Sequence, residues 1–158
     1  MNREILFRGK RSGTGEWIEG YFGQSVDSFI IQDHGLVAGC FEMFKVIPQT
    51  VGQYIGLTDQ KGRKIFEGDV LQCEINGEVD ITENYLVIWD TDDARFALEV
   101  YKNGKLCFID DEFQPISCFF IIGNIHDNPD LLPSANKDTA EDAVEAWNRK
   151  TEVTDFGS

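Results

Sequence analysis

Short runs of alternating apolar and polar residues fill most of this chain, and turn formers interrupt them at intervals of about ten residues. "EILFRGK" reads as a first strand, and "GEWIEGYFG" alternates around Trp17, Ile18, Tyr21 and Phe22 between glycines. "SFIIQD" reads as a strand ending near Asp33-His34-Gly35, and "CFEMFKVIP" as one closed by Pro48, which cannot donate to a ladder. "VLQCEING" precedes a turn at Asn76-Gly77, and "NYLVIWD" is a short apolar strand that runs into "DTDD". "RFALEVYKNGKLCFID" holds two alternating runs around Asn103-Gly104, a pair that accepts the positive φ values of a two-residue hairpin. "SCFFIIGNI" is the last strand. Many short strands with turn signals predict an all-β barrel or sandwich rather than βαβ units.

The texture changes after "NPDLLP". Ala140, Ala143, Val144 and Trp147 recur at helical spacing, with Thr139 ahead of them as a weak cap and Arg149 and Lys150 near the end. This predicts a helix over about 139–150. The expected division is a β domain over 1–133 and a helical tail over 134–158.

The middle of the chain, "VIPQTVGQYIGLTDQKGRKIFEGDVLQC", is the stretch most open to rival readings. A nucleotide-binding P-loop needs a Gly-Lys pair followed by Ser or Thr, and "GLTDQKGRK" supplies neither. A structural corner accounts for more of the residues. Gly52 and Gly56 bracket Tyr54 where the chain is expected to bend, and 58–64 forms a polar hairpin tip. "IFEGDV" restarts a strand, with Asp69 placed to bond nearby backbone donors, as in small SH3-like barrels.

Composition then narrows function. Apolar residues make up 42% of 158 residues, a globular balance. The net charge is −14, with −1 over residues 1–70 and −13 over 71–158. So acidic a chain repels nucleic-acid phosphate and anionic membrane, and suits a basic partner or plain solubility. Nucleic acid is therefore not expected as a partner, and no apolar run is long enough to span a bilayer. Cys40, Cys73, Cys107 and Cys118 form no close pairs and sit in apolar company, which predicts buried free thiols rather than a zinc site. No signal-peptide pattern opens the chain, and the expectation is a cytoplasmic protein.

Candidate chemistry is thin. Asp90, Asp92 and Asp93, and Asp110, Asp111 and Glu112, follow strands and read as solvated turns before they read as metal ligands or glycosidase acids. His126 lies among Asn124, Asn128 and Pro129, a turn composition with no marked nucleophile beside it. No cofactor, metal or catalytic residue is expected. If a binding groove exists, Tyr54 and Phe66 beside Lys61, Arg63, Lys64 and Asp69 are its best candidates. The basic residues of the first half are expected to meet the acidic half of a second copy, so electrostatics would help to set an oligomer.

"ILFRGKRSGTGEWIEGYF", the TVGQY-to-EGD core and the closing "IIGNIHDNPDLL" together resemble the YopX family of phage and prophage proteins, over about residues 3–133. The resemblance implies a small β-rich SH3-like or roll-type barrel that assembles with itself in a bacterial host's cytoplasm. It implies no established molecular activity. The expected function is thus a non-enzymatic, homo-oligomeric module that binds a host or phage protein. The alternative is a nucleic-acid-binding or anti-restriction protein that mimics a polyanion.

Overall fold

The computed structural model describes residues 4–33, 40–102, 105–108 and 118–132, with the backbone alone at 81, 82, 101, 102 and 105–108. The expected helix, the tail over 134–158 and the Asp110–Glu112 cluster lie outside these residues.

The described chain is mainly strand, arranged in two antiparallel sheets. The first holds β1 (Phe7–Lys10), β2 (Trp17–Gln24), β3 (Ser28–Asp33), β4 (Phe41–Lys45), β5 (Gly52–Thr58) and β6 (Lys64–Phe66), in the order β4-β3-β2-β1-β5-β6. The second holds β7 (Asp69–Ile75), β8 (Glu78–Asp90), β9 (Arg95–Lys102), β10 (Lys105–Phe108) and β11 (Phe119–Asn124), in the order β10-β9-β8-β7-β11. The expected single closed barrel is corrected by this arrangement. Strand spacing foretold the strands but not which edges would meet, and here the edges stay open in two sheets. The first sheet does curl, since the end of β4 returns to β1 through an Arg11–Val46 bridge.

The first sheet buries one face, where its apolar residues alternate, while the middle of the second sheet is apolar and buried on both faces. Ile18, Ile30 and Val46 form the core of the first sheet, with Phe7, Phe22, Phe44 and Val51 against them. In the second, Leu71, Cys73, Tyr85, Val87, Val100 and Phe119 pack with Ile65 of β6, so the core crosses from one sheet to the other. Val70, Leu86, Ile88 and Ile125 form a further layer on the opposite face.

The hairpins follow the turn residues. Ile75 pairs with Glu78 across Asn76-Gly77, both at positive φ. Lys102 pairs with Lys105, the register that a two-residue connection requires, while Asn103 and Gly104 lie outside the described residues. The stretch around Tyr54, expected as a bend, is a strand: β5 runs between β1 and β6. Gly52 is needed there for close approach. A Cβ at Gly52 would stand 2.5 Å from the Glu67 carbonyl oxygen.

Candidate functional site

Three separated stretches meet where the two sheets join: β1 with the start of β2, the β6–β7 corner, and the turn after β11. Gly68 makes the corner possible at φ 86, a value glycine adopts without strain. Its N–H donates to the Val87 carbonyl and its own carbonyl accepts from Ile125 N–H, both at 2.9 Å. Asp69 follows, 1% exposed. One of its oxygens accepts from Phe66 N–H at 2.8 Å, as expected of a corner aspartate, and the other lies 2.6 Å from Arg8 Nη2. Burial lifts the Asp69 carboxyl above its ordinary range, against the pull of Arg8. The Arg8 guanidinium lies 4.7 Å from the Trp17 ring and 4.9 Å from Phe66, an aromatic sandwich suited to a planar cation.

The turn after β11 completes the junction. Asn124 Oδ1 accepts from the N–H groups of His126 and Asp127. Asp127 accepts from Trp17 Nε1 at 2.7 Å and Asn124 Nδ2 at 2.9 Å, and is ion-paired with Lys10. Partial burial alone would raise the Asp127 carboxyl, but these donors outweigh it and hold it at about 2. His126 rests on Trp17 with ring centroids 5.9 Å apart. Burial, with Arg8 and Lys10 nearby, lowers it to about 4, so at neutral pH it is an uncharged ring within a packed corner. Apart from Arg8 Nε, which is buried without a hydrogen-bond partner, the junction's charged groups pair with one another. The arrangement joins two sheets, and its geometry holds no nucleophile activated by a base.

Glu67, next to the corner, accepts from Gln53 N–H at 3.3 Å, and burial raises it to about 7. Its proton stays on in the folded chain over pH 4.5–7, where the unfolded chain releases it. Stability from this group therefore falls as pH rises through that window and stays lower above it. His126 acts oppositely: the unfolded chain takes up its proton below 6.5 and the folded chain only near 4, so its effect on stability rises with pH. In the native chain the two slopes offset. Thermal melts of Glu67→Gln are expected to show a midpoint a few degrees above wild type at pH 8 and equal to it below pH 4.5. Melting curves that stay parallel from pH 4 to 8 would contradict this.

The six expected groove residues fall in two groups: Lys64, Tyr54, Phe66 and Asp69 contact one another in turn, while Lys61 and Arg63 lie at the hairpin tip around Asp59. Tyr54 and Phe66 stack on each other at 5.7 Å, but Tyr54 is 8% and Phe66 1% exposed. Arg63 is held by Asp59 at 2.7 Å and by the Ile121 carbonyl at 2.6 Å. Asp59 also accepts from the N–H groups of Lys61, Arg63 and Ile121, so it ties the hairpin tip to β11. Lys61 lies over Phe120 and Lys64 over Tyr54, with Lys64 also paired to Glu4. Asp69 is buried at the junction. Asp90 is buried and accepts from Asp92 N–H, and Asp93 pairs with Arg95. Among the described residues no group of His, Cys, Asp and Glu is arranged to hold a metal. The expectation that all four thiols are buried is corrected at Cys40, which is exposed just ahead of edge strand β4.

A different surface stands out instead. Tyr21, Ile31 and Met43 are cross-strand neighbours on the outward face of β2-β3-β4. Phe29 and Phe41 share that face by strand alternation. Tyr21, Phe41 and Met43 are 57%, 58% and 59% exposed. An open cleft lined by Leu6, Glu19, Tyr21, Ile31 and Asp33 borders the row. Sequence alternation marked these positions as strand but could not tell the inward face from the outward one, since both are apolar.

The family pattern described as YopX protein matches residues 7–133. A crystal structure of protein EF1440 from Enterococcus faecalis is similar over 83% of this chain and 99% of that one, at 22% identity and a TM-score of 0.45. No curated protein matches the chain. Among the described residues no helix is long and apolar enough to cross a membrane.

Proposed function

Because the chain belongs to the YopX protein family, we propose that it is a non-catalytic, phage- or prophage-type accessory protein that assembles with itself and binds a protein partner. The observation that carries this reading is the apolar row Tyr21, Ile31 and Met43, with Phe41 beside it, on a sheet face that ends in edge strand β4. Single-chain proteins seldom leave so continuous an apolar strip in water, and edge strand β4, bonded back to the β1 side only at its end, offers further pairing.

The ion pairs bear on how assembly would work. Arg8, Lys10, Arg11, Lys45, Arg63, Lys64 and Arg95 each pair with a carboxylate of the same chain. Most described cations of the first half therefore meet carboxylates of their own chain, while Lys61 lies over Phe120, and this supports apolar contact between copies rather than head-to-tail electrostatics. Among the described residues it also leaves little unpaired cationic charge for nucleic-acid phosphate. Sedimentation of the wild type is expected to show an oligomer that persists at 1 M salt, since screening weakens exposed charge pairs and spares apolar contact. Phe41→Glu with Met43→Glu is expected to sediment as a folded monomer. An assembly unchanged by that double substitution, or one dissolved by salt alone, would refute the reading.

A further inference from the structure

The thiols of Cys73 and Cys118 lie 2.9 Å apart. Cys73 is on β7 opposite Phe119 of β11, and Cys118 is the residue that leads into β11. Cys73 is 1% exposed in the second-sheet core, and Cys118 packs on that cluster while remaining only partly buried. Sulfurs in a disulfide stand about 2.05 Å apart. The pair can therefore close by a local approach of about 1 Å, with no change of strand register.

We infer that Cys73 and Cys118 form an oxidative cross-linking site, which a low-molecular-weight disulfide such as oxidised glutathione converts to an intramolecular disulfide. Cys118 is the less buried residue of the pair, and so the one that a reagent from solvent meets first. Its thiolate, having lost its proton to water, attacks one sulfur of oxidised glutathione. A Cys118–glutathione bond forms, the glutathione disulfide breaks, and one glutathione thiolate leaves. Cys73 then gives its proton to solvent and attacks the Cys118 sulfur, forming the protein disulfide and expelling the second glutathione thiolate. Two protein thiols are oxidised and one glutathione disulfide is reduced to two thiols. Burial, with Cys118 beside it, pushes the Cys73 thiol up to about 12, which favours Cys118 as the first nucleophile. The cross-link would close a loop containing β8, β9 and β10 and pin the start of β11 to β7. β11 runs directly to Asn124, His126 and Asp127, so oxidation would stiffen the strand that carries one side of the junction.

The test uses the full chain with Cys40→Ser, treated with oxidised glutathione, capped with iodoacetamide and digested without reduction. The expected result is an intact mass lower by about 2 Da, a Cys73–Cys118 linked peptide, and a melting midpoint raised by about 5–10 °C, all reversed by dithiothreitol. The same treatment should not raise the midpoint of a chain that also carries Cys118→Ala. Should that variant fail to fold, the peptide map of the Cys40→Ser chain decides alone. Both thiols fully alkylated after oxidation, a link from either one to Cys107, or a glutathione adduct that persists on Cys118 would overturn the inference.

Discussion

Asp69→Ala is expected to lose about 3–5 kcal/mol of folding stability, a large share of the total for a domain this size. The substitution removes the carboxylate that neutralises Arg8, whose side chain is 13% exposed and held between Trp17 and Phe66. The guanidinium has no solvated place to go without unstacking both rings. Arg8 Nε already lacks a hydrogen-bond partner, so the ion pair is what compensates its burial. Phe66 N–H, buried, loses its acceptor as well. Asp69→Asn, which can still accept from Phe66 but carries no charge, should fall between wild type and alanine. Urea unfolding followed by circular dichroism gives the order. A loss below about 1 kcal/mol for the alanine variant would mean that the corner does not depend on this carboxylate.

Gly52→Ala is expected to cost about 2–3 kcal/mol through overpacking rather than through a lost contact. The new methyl carbon would sit 2.5 Å from the Glu67 carbonyl oxygen, which is backbone and cannot rotate away. Glu67 N–H donates to the Gln53 carbonyl at 2.9 Å, so relieving the clash means moving β5 away from the corner and stretching that bond. Because β5 lies between β1 and β6, the movement would also loosen the edge of β1 that carries Arg8. Thermal melting of Gly52→Ala beside Gly13→Ala provides the control, since a Cβ at Gly13 meets nothing within 4 Å. Equal midpoints for the two variants would sink this explanation.

How much of this was legible beforehand depends on range. Local chemistry was readable. The alternating runs became strands, Asn76-Gly77 became a hairpin turn, and residues 58–64 became the polar tip, closed by Asp59 on its own backbone. Asp69 caps Phe66 three residues back, as expected of Gly-Asp-Val at a corner. Long-range chemistry was not readable. Arg8 finds Asp69 61 residues away, Trp17 finds Asp127 at 110, and Lys10 finds Asp127 at 117. Neither composition nor periodicity specifies such pairings. The same blindness produced a wrong expectation, because strand spacing is the same for a closed barrel and for two open sheets. A cluster of lysines and arginines likewise reads as a basic patch until their partners are in place. Tyr54 and Phe66 read from the sequence as groove aromatics, and in the fold Phe66 forms one wall around a cation of the protein itself, Arg8.

Arg8 and Lys10 of β1, the corner at Glu67 to Asp69 and the turn at Asn124 to Asp127 bring their polar groups together at the joint between the sheets, and the outward apolar face lies elsewhere, on β2-β3-β4. A double-mutant cycle on Arg8→Met and Asp69→Leu tests that assignment most directly. If the pair locks the sheets together, each single variant loses several kcal/mol, while the double variant recovers much of the loss because no buried charge is left alone, giving a coupling above about 2 kcal/mol. Losses that simply add, to within about 0.5 kcal/mol, would show that the two residues do not act as one unit and that the joint is held by something else.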